Sequence, residues 1–328
     1  MRAITPEFVG SRIKKIQYWR KVSFGDDIPL IKKIHIDIDL FVSMIIVGNH
    51  IDEYFKYGLF KKAYSIRRQF ILDRQRNIFR KRCNDEKKSR LFDDKAAFNK
   101  MFDKYLGREW IDTATCSFKE YREFIERYPN AFYKPADGSF GIGIGILDVS
   151  KKNDSLEIFN ELKKEKMILE EQISQIMEMK NYNQSTINTI RIVTLIDNTG
   201  KTRIMAAVFR SGRKGELADN FHHRGLAAKV DIETGIVESD AVDNELKHYK
   251  EHPDSKLLIK GFQIPMWDQA INMCLEAASV VPEVRYVGWD VALTPKGPSI
   301  IEGNCNADPD ITQMPLDKGV WDEYRKLI

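Results

Sequence analysis

Three stretches of the sequence combine residue types and spacings that bear chemistry. In KPADGSFGIGI (residues 134–144), Lys134 ends a short apolar run and is followed by Gly138, Ser139, Gly141 and Gly143. Backbone N–H groups in such a turn approach phosphate oxygens closely, and the lysine adds positive charge. The stretch lacks the GK[ST] ending of a Walker loop and the GxGxxG register of a dinucleotide fingerprint, and an ordinary glycine-rich hairpin carries the same residues. In GWDVALTPKGPSIIEGN (residues 288–304), Asp290 lies on one arm of a hairpin and Glu302 and Asn304 on the other. Side chains alternate with period two, so Glu302 and Asn304 share a face, and the turn brings Asp290 alongside. Three oxygen donors on one face suit a hard cation such as Mg2+. The alternative, a solvated hairpin face, is weakened by the apolar neighbours Val287, Trp289, Val291, Ile300 and Ile301, because a buried carboxylate cluster needs a counter-ion. In MILEEQIS (residues 167–174), Glu170 and Glu171 end an apolar strand. A strand leaving a sheet offers backbone donors and acceptors to a flat heterocycle, and a nearby glutamate accepts from an amino group. A charged strand end is the plain alternative.

The elements that must position these residues are legible as periodicities. IKKIHIDIDLFVSMIIVG (residues 31–48) alternates and then becomes continuously apolar, which fits a strand or a short buried helix. Between residues 52 and 82 aromatic and aliphatic residues recur at helical spacing, predicting one or two amphipathic helices. CNDEKKSR (residues 83–90) reads as a polar connection, and DDKAAFNKMFDKYL as a helix capped by Asp93 or Asp94. Beyond Pro129 the texture changes to short strands and hairpins, the clearest being NTIRIVTLID and KTRIMAAVFR around an Asn/Gly turn. LAAKVDIETGIVES and YVGWDVALTPKGPSIIEGN read as two more hairpins, with an amphipathic helix, PMWDQAINMCLEAASVVP, between them. The fold class expected is α+β, with a mainly helical region over residues 1–85 and an α+β body over 86–328.

Composition bounds the rest. At 328 residues the chain holds one or two domains and buries enough surface to fold without a metal or disulfide staple. Its four cysteines (Cys83, Cys116, Cys274, Cys305) show no CxxC pairing, which fits a reducing, cytoplasmic setting. No signal-peptide pattern opens the sequence, and its longest apolar run, residues 40–48, is too short to span a membrane. The formal net charge of +4 conceals segregation: residues 56–90 carry 13 Lys/Arg against three acids. A solvated helical face is the bland account of that excess. Peripheral attraction to an anionic inner leaflet is a second, and nucleic-acid binding a third that no RNP, helix-turn-helix or zinc-finger pattern supports.

Taken in this order, the three stretches resemble the ATP-grasp fold, two α+β subdomains gripping an adenine nucleotide. A narrower likeness, over roughly residues 50–315, is to the sugar-transfer-associated ATP-grasp family, linked to cell-surface polysaccharide biosynthesis. It is carried by YLGREW (105–110), INTIRIVTL (187–195), DNF (219–221), VDIETG (230–235), VGWDVAL (287–293) and EGN (302–304). The resemblance implies that Lys95 and Lys134 contact ATP phosphates and that Gly138, Ser139, Gly141 and Gly143 form a mobile phosphate lid, in a lid subdomain of about 130–172. It implies that Glu170, Glu171 and the backbone near Ile173 hold adenine, and that Asn188 or Glu178 reaches the ribose. Asp290, Glu302 and Asn304 would bind Mg2+, with Mn2+ as a substitute, and Arg191, Arg210 and Asn220 would face the γ-phosphate and an acceptor carboxylate. One departure is HHR after DNF: His222, His223 and Arg224 either line a modified acceptor site or form a solvated loop. The chemistry implied is an ADP-forming ligation of a carboxylate to an amine. The expected partners are a small-molecule or lipid-linked sugar acid and an amine or amino acid, without nucleic acid. A kinase acting on a sugar or sugar acid, and a non-catalytic nucleotide-binding module, share the same residues.

Overall fold

A computed structural model describes residues 6–137, 143–147, 155–215, 221 and 225–328. The chain opens with seven helices: α1 (Pro6–Phe24), α2 (Leu30–Ile46), α3 (Ile51–Lys56), α4 (Tyr64–Arg67), α5 (Asp73–Cys83), α6 (Glu86–Asp93) and α7 (Lys95–Leu106). The segment that alternates from residue 31 is thus a helix. The helical stretch expected over 52–82 is broken into shorter pieces. Gly58 turns the chain at φ +56°, a backbone angle that glycine adopts without steric cost, and a 3-10 turn follows at Leu59–Lys61. The polar run at 83–90 is mostly helix α6 rather than a connection, because the Asp85 side chain accepts from the Lys88 N–H at 2.9 Å and caps it. Asp94, of the two candidates, caps α7 by accepting from the N–H groups of Ala96 and Ala97.

A small antiparallel sheet follows, with strand order β1-β4-β2-β3. Its strands are β1 (Trp110–Asp112), β2 (Phe132–Pro135), β3 (Gly145–Ile146) and β4 (Met167–Glu170), and α8 (Phe118–Arg127) and α9 (Ser155–Lys164) share its core. It begins at β1, ahead of the lid boundary expected near 130, since Trp110 pairs with Glu170 and Asp112 with Ile168. After α10 (Met177–Lys180) come β5 (Thr189–Ile196), β6 (Thr202–Ser211), β7 (Leu226–Val230), β8 (Ala241–Val242), β9 (His248–Tyr249), α11 (Trp267–Ala278), β10 (Tyr286–Thr294) and β11 (Gly297–Asn304). These strands build a seven-stranded antiparallel sheet, order β11-β10-β5-β6-β7-β8-β9. The VDIETG hairpin is looser than expected. Its returning leg meets β7 only at an isolated bridge, Val230 to Val237, and β7 pairs in the sheet with β8. Helices α12 (Pro309–Leu316) and α13 (Trp321–Tyr324) end the chain.

The large sheet has two unlike faces, as alternation along each strand demands. Ile190, Ile192, Phe209, Val287, Trp289 and Val291 point into a core shared with α6, α7 and α11. On the other face Val208 and Ala227 pack with Tyr54, Phe55, Phe70 and Leu72 from the helical N-terminal region, while Val193 and Leu195 pack with Phe79, Cys83 and Tyr324. The mainly helical residues 1–85 thus contribute a layer to the large sheet's cores. Their positive charges meet acids distant in sequence: Lys56 pairs with Asp310 at 2.6 Å, Lys62 with Asp317 at 2.7 Å and Arg67 with Asp39 at 2.9 Å. Among the described residues no helix is long and apolar enough to cross a membrane.

Candidate functional site

Two charged clusters, one on each sheet, meet where the sheets adjoin. On the small sheet Lys134 (β2) and Glu170 (β4) are both buried. Glu170 Oε1 accepts from Lys134 Nζ at 2.8 Å, from Asn99 Nδ2 at 2.8 Å and from Arg108 Nη2 at 3.1 Å. Burial alone would raise the Glu170 pKa, but Arg108 and Lys134 more than offset it and hold the carboxyl down at about 2. Burial also lowers the Lys134 ammonium below the usual lysine range, against the opposing pull of Glu170. All three donors converge on Oε1. This leaves Oε2 as the oxygen with acceptor capacity for an amino group.

On the large sheet Asp290 (β10) lies directly across from Glu302 (β11) on one side and Arg191 (β5) on the other. The hairpin brings Asp290 alongside Glu302 as expected, by way of a β-bulge between Asp290 and Val291 that shifts the register by one residue. Arg191 grips the Asp290 carboxylate with Nε to Oδ1 and with Nη2 to Oδ2 at 2.9 Å, and Arg210 Nη1 (β6) reaches the same Oδ2 at 2.7 Å. Such bidentate guanidinium contacts fix a carboxylate's orientation. Both arginines hold Asp290 far below the normal carboxylate range despite its burial. Gly288 makes the arrangement sterically possible: a Cβ there would stand 2.9 Å from Ala307 Cβ and 3.0 Å from Arg191 Cδ. Glu302 behaves oppositely. Surrounding protein and the facing Asp290 push its carboxyl up to about 7, although the residue keeps exposed surface.

Arg108 joins the two clusters. Besides Glu170 it donates from Nη1 to the Ile300 carbonyl at 2.8 Å and from Nη2 to the Ile301 carbonyl at 3.4 Å, the two residues that precede Glu302. Lys134 in turn feels the charge of Glu302. Neither Arg108 nor Asn99 was singled out from sequence. Arg108 lay inside the YLGREW stretch, and Asn99 was signalled only as an amide among Phe98 and Phe102 on the apolar face of α7.

The other expected residues fall as follows. Lys95 is the first residue of α7, half-buried, and its N–H donates to the Ala136 carbonyl at 3.1 Å, tying the helix start to the end of β2. Gly143 has φ +77°, with Pro135 beside it. Gly138, Ser139, Gly141, Asn220, His222, His223 and Arg224 lie outside the described residues. Glu171 pairs with Lys296 at 3.2 Å, and Ile173 is half-buried in the segment linking the sheets. Of the two ribose candidates, Glu178 is exposed in the first turn of α10. Asn188 is buried and engaged: Nδ2 donates to the carbonyls of Met179 and Asn183 at 2.9 Å, and Oδ1 accepts from Ser211 at 2.7 Å. That amide braces a loop.

For a divalent cation the donors are Asp290, Glu302 and Asn304. Among the described residues no group of three or more His, Cys, Asp or Glu side chains is placed to hold a metal, and here the third donor is an amide oxygen. The fit is chemical. Two facing carboxylates repel, Glu302 is raised partly for that reason, and a hard cation relieves the same repulsion that a shared proton otherwise does.

Among solved structures the chain is similar to the ATP-grasp ligase PsnB complexed with minimal precursor, at 12% identity and TM-score 0.45, covering 73% of this chain and 62% of that one. It is also similar to the D-alanine–D-alanine ligase of Bacillus anthracis (13% identity, TM-score 0.42, 72% and 67% covered). A third is the ADP complex of purK, N5-carboxyaminoimidazole ribonucleotide synthetase (11%, 0.43, 68% and 50%). The chain thus spans less than two thirds of PsnB's length. No curated protein matches. The family model for sugar-transfer associated ATP-grasp proteins matches residues 74–327, and the chain belongs to that family and has the ATP-grasp fold.

Proposed function

We propose that this protein is an ATP-dependent, ADP-forming ligase that joins a carboxylate to an amine. The observation that carries the reading is the meeting, through Arg108, of a lysine–glutamate pair suited to a nucleotide with a carboxylate pair suited to a hard cation. Phosphoryl transfer asks for positioning and charge neutralisation rather than a protein nucleophile, and the residues present are of that kind. Lys134 and Lys95 would take phosphate oxygens, Glu170 Oε2 the adenine amino group, and Glu178 the ribose. Asp290, Glu302 and Asn304 would hold Mg2+, which when bound neutralises phosphate charge. Arg191 and Arg210 would orient the acceptor carboxylate beside the γ-phosphate. A carboxylate oxygen attacks phosphorus and ADP leaves, giving an acyl phosphate. The amine nitrogen then attacks the carbonyl carbon and inorganic phosphate leaves, giving an amide.

The family's description, sugar-transfer associated, suggests a place in surface-polysaccharide assembly; within that reading the carboxylate would be a sugar acid, free or lipid-linked, and its partner an amine or amino acid. The ligase names of the neighbours accord with the amine half of that reading. Incubation of the full chain with Mg-ATP and a matrix of sugar acids and amines tests it. The expected result is ADP release that needs both co-substrates and an adduct lighter than their sum by one water. A stable phosphorylated acid formed without amine would make the protein a kinase, and nucleotide binding without turnover across the matrix would make it a silent module.

A further inference from the structure

Helix α2 is apolar on two sides. Ile36, Leu40 and Ser43 are buried against the body, whereas Ile31 (71% exposed), Ile34 (48%), Ile38 (57%), Phe41 (65%) and Ile45 (68%) stand in solvent. Their spacing is 3-4-3-4, with isoleucine returning every seventh residue at 31, 38 and 45. That is the seam of a two-helix coiled coil, about 20 Å long at the rise of an α-helix. A contiguous apolar stripe of this kind marks an interaction surface, unlike apolar residues scattered singly. The charges of α2 also run against its own dipole. Lys32 and Lys33 sit near its start, no acid lies in its first turn, and no basic residue lies in its last. The mid-helix acids are neutralised within the chain, Asp37 by Arg20 at 2.8 Å and Asp39 by Arg67 at 2.9 Å.

We propose that this face binds a second copy of the chain, the two α2 helices packing antiparallel about a two-fold axis. With Ile34 of one copy opposite Ile45 of the other, and Ile38 opposite Phe41, every one of these four positions meets an apolar partner. The pairing is isologous and closes at two subunits. Lys32 and Lys33 of each copy then lie beside the carbonyl end of the other copy's α2, where positive charge is stabilising. A bilayer surface matches the stripe less well. Interfacial helices carry basic residues along their polar face, whereas here the lysines cluster at one end and Asp37 and Asp39 flank the middle.

Sedimentation velocity of the full chain, from about 1 to about 100 μM, tests the proposal. A dimer is expected. Ile38→Asp should weaken it at least about 100-fold, because each dimer loses the buried side chain twice, with the circular dichroism spectrum unchanged since the position is exposed. Phe41→Ser supplies the same test should that variant fail to fold. Lys32→Glu combined with Lys33→Glu should weaken the dimer roughly 10-fold by placing negative charge at the partner helix's carbonyl end. A monomer at every concentration, or a dimer indifferent to Ile38→Asp and Phe41→Ser, overturns the proposal. So does a monomer that co-sediments with phosphatidylcholine–phosphatidylglycerol vesicles through Ile38, which would assign the face to lipid.

Discussion

Replacing Arg108 by methionine removes the guanidinium that spans the two sheets and leaves a side chain that still fills apolar volume. Five contacts go with it: the ion pair to Glu170 at 3.1 Å, bonds to the carbonyls of Ile300 at 2.8 Å, Leu106 at 3.2 Å and Ile301 at 3.4 Å, and one to Ser299 Oγ at 3.4 Å. Of these partners the Leu106 carbonyl keeps the Ser299 hydroxyl as a donor. Glu170 keeps Lys134 and Asn99, each at 2.8 Å, so its carboxylate is not orphaned. The cost is then one charge-assisted hydrogen bond plus one or two unpaired carbonyls, about 3 kcal/mol rather than the upper range for breaking a buried pair. For a chain of this size that lowers Tm by roughly 4–5 °C. Differential scanning fluorimetry gives the stability change, and titration with a fluorescent ATP analogue gives the functional one. Nucleotide affinity should fall about tenfold as Glu170 and the backbone before Glu302 lose their common anchor. Arg108→Lys should recover part of the stability through Glu170 but not the fork to both carbonyls. An Arg108→Met protein within about 0.5 kcal/mol of the parent and with unchanged nucleotide affinity would refute the bridging role.

Three further outcomes are expected. Glu302→Gln keeps shape but removes a metal-binding charge, so Mg2+-dependent ADP release should drop by about 100-fold or more with Tm nearly unchanged, as coupled-enzyme kinetics would read out. Acid unfolding should carry a Glu170 component. Its carboxyl titrates near 2 in the fold against 4.5 in the unfolded chain, so about 3 kcal/mol of stability is present above pH 4.5 and is lost as pH falls toward 2. Urea midpoints across that window should lose this slope in Glu170→Gln. Gly288→Ala places a methyl group 2.9 Å from Ala307 and 3.0 Å from Arg191. Overpacking of this kind costs about 1–3 kcal/mol and swings Arg191 off Asp290, to be seen as a lowered Tm together with loss of turnover. A variant of unchanged Tm and activity would mean that the arginine is not held by this approach.

Local regularities made much of the site readable from the sequence alone. The two long hairpins, residues 189–211 and 286–304, follow from apolar runs joined by short turns. Once the second is formed, the period of two puts Glu302 and Asn304 on one face, but the turn position alone would set Asp290 opposite Ile301; a β-bulge between Asp290 and Val291 shifts the pairing by one residue and brings Glu302 across. Lys134 and Glu170 were legible as strand-end charges, though their ion pair was not, since it joins β2 to a strand that follows an intervening helix. The helical segment at 52–82 was readable as amphipathic, but its breaks depend on how the pieces wrap the sheet.

What the chain order could not carry is the set of contacts between distant charges. Arg108 meets Glu170 and the Ile300 carbonyl, Lys56 meets Asp310, and Lys62 meets Asp317. Each pair depends on which surfaces the cores bury, because a buried charge goes wherever packing leaves it a partner. The basic excess over residues 56–90 reads as a solvated helical face in the sequence, and three of its members, Lys56, Lys62 and Arg67, reach acids on α12, on the segment after it and on α2. The stripe of isoleucines on α2 shows the converse. Its periodicity was present in the residues, but only the tertiary structure decided which of two apolar faces is spent on the core and which is left for a partner.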